Sequence, residues 1–221
     1  AAVDEVFRPL DAYPCEVLFV DDGSTDGTRA AMARCAGAVR VRVVAMPGNR
    51  GQSAALVAGM LRAEGDYVLT IDGDLQNDPA DFPRLLELLA DYDCVFGYRA
   101  ERKDTLVRRV SGRVANAVRN ALLHDGVRDS GCGLKGFRKA CIRYVIPFDG
   151  AHRFFGVVMR RAGFRIAQCP VAHHPRRYGV SKYGIGNRLG RSLFDLVGVA
   201  WLRRRYLFVE AEEAGRDGAA D

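Results

Sequence analysis

Four apolar runs rich in Val, Ile and Leu, at about residues 15–21, 39–46, 66–71 and 93–98, alternate with helix-period segments at about 26–36, 51–63 and 79–90. That alternation leaves few options. A strand apolar along its whole length must be covered on both faces, and helices crossing over between parallel strands do this. The pattern predicts an α/β fold of βαβ units around a buried, mainly parallel central sheet. Local signals agree: Ser24 or Asp26 is placed to cap the first helix, NRGQS opens the second, and Pro79 lies near the first turn of the third. The chain then reads as helical to about residue 122 and Gly-rich and irregular to about 137. A helix near 152–162, a strand near 165–173 and a terminal helix near 186–204 follow. Residues 1–208 are expected to form one domain, and the acidic 209–221 a solvated, disordered tail.

A chain of 221 residues that is 48% hydrophobic is long enough to bury a core as one domain. Its 33 Lys and Arg against 27 Asp and Glu suit a polyanionic partner such as a nucleotide diphosphate, a membrane surface or a nucleic acid. No nucleic acid is expected, because the arginines are not interleaved with aromatic stacking motifs. Cysteines 15, 35, 94, 132, 141 and 169 form no C-x-x-C pair, which points to reduced thiols and a cytoplasmic setting. The apolar run LVGVAWL is far shorter than the ~20 residues of a spanning helix. AAVDEVFRPL lacks a signal-peptide pattern and an initiating Met, so the chain is expected to begin downstream of the true start.

In open α/β sheets, ligands gather outside the carboxyl ends of the strands. Here those ends are acidic: CEVLFV runs into DDGSTDGT, and DYVLTI into DGDLQND. Crowded carboxylates need solvent or a cation. Asp72 and Asp74 flank Gly73, so their oxygens, with the amide of Gln76, suit Mg²⁺ or Mn²⁺ completed by a diphosphate. DDGSTDG taken alone reads equally as a βα turn with helix-capping residues. GCGLKG matches G-x-G-x-x-G by letter, yet no buried strand precedes it and no acidic ribose ligand follows at the right distance, which argues against a dinucleotide site. His173 and His174 are expected to be structural or hydrogen-bonding. Arg109, Arg113 and Asn116 lie within two helical turns, placed either to hold a phosphate or to form a solvated face. The terminal helix carries a stripe of Leu189, Leu193, Leu196 or Val197, and Ala200, with Trp201 beside it and Arg188, Arg191 and Arg203 to Arg205 around it. Packing on the sheet and lying in an anionic membrane interface both remain open, with membrane contact the expectation.

The motifs VDDGSTDGT, NRGQSAALVAGM, DGDLQNDP and HRFF…HHPRRYGVSKYG, in that order, resemble glycosyltransferase family 2 in its dolichol-phosphate mannosyltransferase or polyprenyl-phosphate glycosyltransferase branch, over roughly residues 5–203. The resemblance implies a GT-A (Rossmann-like) nucleotide-sugar-binding fold, a nucleoside-diphosphate sugar donor, a divalent metal, inversion at the anomeric carbon and a polyprenyl phosphate acceptor. It places Val20 and Asp22 beside the nucleoside and matches Asp72, Gly73 and Asp74 to the D-x-D motif, with Gln76 the metal-proximal amide. Arg99 matches an arginine near the donor or acceptor phosphate, Arg176 and Lys182 the basic pair on the diphosphate, and Arg113 an acceptor-side phosphate contact. Asp129 matches a residue facing donor sugar or acceptor; a phosphate acceptor is already anionic, so its role is expected to be positioning. The expected catalytic group is therefore Asp74, Asp129, Arg99 and Lys182.

The family's opening strand, with its nucleotide ligands, has no counterpart here, and an incomplete sequence is expected. That leaves GDP or UDP open. The activity implied is transfer to a dolichyl- or undecaprenyl-type phosphate by a protein peripheral on the cytoplasmic face of the membrane. Two alternatives stay open: the same donor with a soluble or polysaccharide acceptor, and a non-catalytic sugar-nucleotide sensor. The absence of Q-x-x-R-W argues against polymerisation.

Overall fold

After a 3-10 turn at Arg8–Leu10, the chain runs β1 (Glu16–Asp21), α1 (Thr28–Ala33), β2 (Arg40–Ala45), α2 (Gln52–Arg62), β3 (Tyr67–Thr70), α3 (Phe82–Leu89) and β4 (Cys94–Arg99). It continues through α4 (Leu106–Leu123), β5 (Lys135–Arg138), α5 (Lys139–Ile142), α6 (Phe155–Arg161), β6 (Ile166–Val171) and α7 (Ile185–Arg205). The computed structural model describes residues 8–10, 12–35, 39–100, 106–175 and 185–207; the acidic tail lies outside them.

The helix starts form as the sequence directs, with changes in detail. Asp26 accepts from the Thr28 N–H at 2.9 Å just ahead of α1. Pro79 opens a separate 3-10 turn, in which Asp78 accepts from the Ala80 N–H at 2.9 Å, and α3 follows directly. Gly51 precedes α2 with φ of 88° and no side-chain cap of its own. A carboxylate from another loop supplies that function, as described below.

β1 and β2 pair in parallel, from Glu16 opposite Arg40 to Asp21 opposite Ala45. The other four strands form a second sheet in the order β3-β5-β4-β6, in which β4 and β6 are parallel and β5 is antiparallel to both its neighbours. The α/β class stands, and β5 is the departure from a mainly parallel sheet. Its four residues, KGFR, were expected to be irregular. They show no period-2 alternation because Lys135, Gly136 and Phe137 are all buried in the middle of the sheet.

Successive residues of β4 point to opposite faces. Cys94 and Phe96 join Phe137, Phe155, Met159 and Met60 under α2 and α6, while Val95 joins Leu85, Leu89, Leu134 and Val171 under α3. The Phe137 ring meets Phe96 and Phe155 edge-on, with centroids 5.6 and 5.9 Å away. No disulfide joins any of the six cysteines.

A smaller cluster, in which Leu196 and Val199 meet Leu123, Phe154 and Val157, attaches α7, aided by an Arg153–Asp195 ion pair at 2.6 Å. The buried stripe of α7 keeps Leu196 and Ala200 of the expected one and adds Val199, whereas Leu193 is exposed, as are Phe194, Val197 and Trp201. The helix offers two apolar stripes, and periodicity alone does not say which one meets the core. No helix among the described residues is long and apolar enough to cross a membrane.

Phe137 is fully buried between two other rings. Phe137→Ala is expected to cost about 3–5 kcal/mol of stability, read as a lowered urea midpoint at unchanged slope.

Candidate functional site

The first acidic strand end is built before any ligand arrives. Asp21 is buried; its Oδ1 accepts from the Ser24 N–H at 2.9 Å and its Oδ2 from Arg29 Nε at 2.8 Å. Hydrogen bonds from Ser24 and then Arg29 hold its carboxyl down at about 2, below the ordinary 3.8. Asp22 reaches across to α2: its oxygens accept from the N–H groups of Arg50 and Gly51 at 2.7 and 2.8 Å. Gly23, at φ of 75°, permits the approach, because a Cβ there would lie 2.5 Å from Asn49 N. The Val20 side chain packs on α2, where a Cβ at Gly59 would fall 2.9 Å from Val20 Cγ2. Asp22, matched to a nucleoside contact, therefore also fixes the loop that opens α2, while Val20 packs further along that helix.

The second strand end holds the D-x-D. Gln52, the first residue of α2, donates to Asp72 Oδ1 at 2.8 Å, and Gly133 lies so close that a Cβ would overlap Asp72 Oδ2. Burial pushes the Asp72 carboxyl up, Lys135 opposes that, and Asp74 adds to it. Asp74 Oδ1 accepts from the Gln76 N–H at 3.1 Å across a turn in which Leu75 adopts φ of 59°. The Gln76 amide nitrogen donates to the His174 carbonyl at 3.4 Å, and the His174 N–H returns a bond to the Gln76 carbonyl at 2.8 Å. His174 Nε2 also lies 3.1 Å from Asp78 Oδ2, so this histidine ties the D-x-D loop to the end of β6.

Arg99, the last residue of β4, and Asp129 form a bidentate pair. Arg99 Nε donates to Oδ2 at 2.7 Å and Nη2 to Oδ1 at 2.9 Å, and Asp129 is buried. The two residues were identified separately, and nothing in their spacing announces the pairing. Ser130 donates to Asn116 Oδ1 at 3.2 Å, bringing α4 to the same turn. Arg113 lies on α4 one turn before Asn116, its side chain outside the described residues, as are Arg176 and Lys182 altogether.

Sequence reasoning missed Lys135. It is buried, its ammonium donates to the Cys132 carbonyl, and its charge acts on both Asp72 and Asp129. Burial lowers its proton affinity and the two carboxylates act against that. The signal was available: a lysine in LKGF, with no polar neighbour in the strand to mark a solvent face, needs buried counter-charges.

No group of three or more His, Cys, Asp or Glu that could hold a metal is formed among the described residues. The donor set at the D-x-D is two carboxylates and an amide, all hard oxygens, with Asp72 partly stripped of water. Such a set suits Mg²⁺ or Mn²⁺, which leave several positions to substrate phosphates instead of taking an all-protein cage.

The α/β frame carries acidic strand ends and a D-x-D beside the buried Lys135, and the family model described as Glycosyl transferase family 2 matches residues 1–210. The chain belongs to glycosyl transferase family 2. Its α/β architecture is the GT-A fold of that family. A curated family 2 relative, dodecaprenyl-phosphate galacturonate synthase of Rhizobium johnstonii, is 37% identical over 91% of this chain and 62% of its own length. An undecaprenyl-phosphate 4-deoxy-4-formamido-L-arabinose transferase of Sodalis glossinidius is 35% identical over 82% of this chain and 56% of its own. The chain thus spans about three fifths of these relatives. Among solved structures, glucosyl-3-phosphoglycerate synthase of Mycobacterium tuberculosis, with Mn²⁺ and UDP-glucose, has a TM-score of 0.63 at 22% identity, covering 91% of this chain and 72% of that one. That likeness is one of fold.

Asp21→Asn is expected to destabilise the protein at neutral pH. Because the folded-state value is depressed, to about 2 from 3.8, the wild-type advantage is complete above the unfolded value and fades as pH falls through the folded one. Urea midpoints of the two proteins should converge as the pH approaches about 2.

Proposed function

We propose that residues 1–208 carry the catalytic domain of an inverting glycosyltransferase that moves a sugar from a GDP- or UDP-linked donor to a polyprenyl phosphate. The observation that carries this reading is a contrast between the two relatives. Their names differ in the sugar, galacturonate in one and a formamido-arabinose in the other, but both contain a polyprenyl phosphate. A shared acceptor with a variable sugar supports a polyprenyl phosphate as the acceptor for this chain as well.

Asp72, Asp74 and the Gln76 amide would hold Mg²⁺ or Mn²⁺, which when bound supplies positive charge to a departing nucleoside diphosphate. The chain's own residues do the rest by placement. Asp22 fixes residues 50 and 51, the adjoining Gln52 aims Asp72, and Asp129 holds the Arg99 guanidinium in one plane at the end of β4. An oxygen of the acceptor phosphate attacks the sugar C1 as the bond to the diphosphate breaks on the opposite face. That oxygen is already ionised at neutral pH, so Asp129 has no proton to remove and serves to orient Arg99. Arg113 is assigned to the acceptor phosphate, and Arg176 and Lys182 to the diphosphate. Catalysis in this scheme comes from in-line positioning and charge stabilisation.

A lipid acceptor calls for a membrane contact, and α7 is assigned to it as a peripheral anchor on the cytoplasmic face. Phe194 is 81% exposed and Val197 and Trp201 64% each, along one side of a helix that ends in Arg203, Arg204 and Arg205. Arg203 is turned inward, donating to the Leu123 carbonyl at 2.5 Å, so Arg204 and Arg205 are left to face lipid phosphates.

Asp74→Ala should slow transfer by about 10²–10³-fold, as for loss of one strong electrostatic stabiliser. A screen of UDP- and GDP-sugars against a short polyprenyl phosphate with Mg²⁺ or Mn²⁺ reads this, and wild-type turnover in excess chelator would overturn the metal assignment. For the anchor, the wild type should sediment with anionic vesicles and release as salt is raised. Phe194→Asp with Val197→Asp should stay in the supernatant; co-sedimentation equal to wild type rejects the α7 face.

A further inference from the structure

The C-terminal ends of α4, α6 and α7 meet in a cleft of about 440 Å³, lined by Arg160, Arg161, Arg203 and Arg204 together with His124 and apolar side chains of α4 and α6. It lies at the opposite end of β6 from His174, since α6 leads into the start of that strand and His174 follows its end. The cleft is therefore separate from the strand-end site and has no part in the scheme above.

Four guanidinium groups share this cleft, and none of the described residues that line it is a carboxylate; the Asp125 carboxylate outside the lining acts on Arg160 alone of the four. Three of them are fixed by a single bond to a backbone carbonyl: Arg160 Nε to Asp125 at 2.5 Å, Arg161 Nε to Arg203 at 3.1 Å, and Arg203 Nη1 to Leu123 at 2.5 Å. A guanidinium has five N–H donors, so each keeps most of its fork. Arg204 makes no hydrogen bond or ion pair with another described residue. Like charges held this close repel one another, and the arrangement is satisfied by an anion with several oxygens.

The surroundings say what carries that anion. On α7, exposed Val197 and Trp201 lie on the turns that lead to Arg204; on α4, exposed Val118 and Leu122 lead to His124. Two apolar stripes running into one basic cleft match an amphiphile whose charged group sits at the end of its chains.

We propose that this arginine cleft binds the phosphate of an anionic lipid headgroup. Its lipid origin rests on the membrane reading of α7; the phosphate site itself rests on the arginines. The ligand is a bilayer lipid, not the acceptor, because the cleft is remote from the strand ends.

Calorimetry on the full chain with dihexanoyl phosphatidic acid, below its micelle concentration, tests this without a bilayer. Saturable binding is expected, weakened at least about tenfold by Arg204→Gln and by Arg161→Gln. Arg204→Gln removes no bond among the described residues, and a thermal melt matching wild type should accompany it. Affinity unchanged in both variants overturns the site. Inorganic phosphate bound as tightly as the lipid overturns the headgroup assignment in favour of a free phosphate. The α7 variant Phe194→Asp with Val197→Asp should bind the soluble lipid more weakly than wild type, because Val197 belongs to the stripe beside the cleft, and full affinity in it overturns the headgroup assignment in favour of a free phosphate. If wild type fails to sediment with vesicles while the soluble lipid still binds the arginines, the anchor is rejected and the cleft stands.

Discussion

A buried ammonium makes the acidic floor of the site possible. Lys135 sits in β5, an inner strand of the four-stranded sheet, where its charge acts on both Asp72 and Asp129. Carboxylates withdrawn from water need compensation close by, and removing one partner from such a group leaves the others uncompensated. The antiparallel insertion of β5 between β3 and β4 is what brings that charge to the centre, so a local oddity of topology serves the electrostatics of the strand ends.

The two sheets share no ladder among the described residues. Side chains join them instead. Asp22, after β1, holds the backbone of Arg50 and Gly51, and the next residue, Gln52, holds Asp72 after β3. A position on one sheet is passed to a carboxylate on the other through three hydrogen bonds and one helix start. Within the four-stranded sheet, the Arg99–Asp129 pair ties the end of β4 to the turn ahead of β5.

Much of this was legible in the sequence, for physical reasons. Strands β1 to β4 and β6 are rich in Val, Ile and other apolar residues because they pack on the core, and Asp72 and Asp74 stood out because they follow one of them. β5 was hidden because four buried residues, one of them charged and one without a side chain, carry no periodicity. Lys135 was lost with it. The union of Arg99 with Asp129 is a long-range contact that neither residue's neighbours encode. On α7 the existence of the helix was plain but its facing was not, since Leu196 and Val199 compete with Leu193 and Val197 for the core and only the packed neighbours decide.

The glycines of GCGLKG have a consequence for how substitutions in this chain would be read. At Gly131 an added Cβ meets Arg99 Nη2 at an ordinary 3.5 Å, whereas at Gly136 it would press on Leu69 at 2.9 Å and Leu89 at 3.0 Å, and at Gly133 it would displace the Asp72 carboxylate. A saturation library selected for activity would tolerate small residues at the first of these positions, admit them at Gly136 only where Leu69 and Leu89 shift, and demand glycine at Gly133. The surviving letters would imitate a phosphate-cradling loop while recording something else: one glycine spared by its surroundings, one required by the Asp72 carboxylate and one favoured by the packing of two leucines.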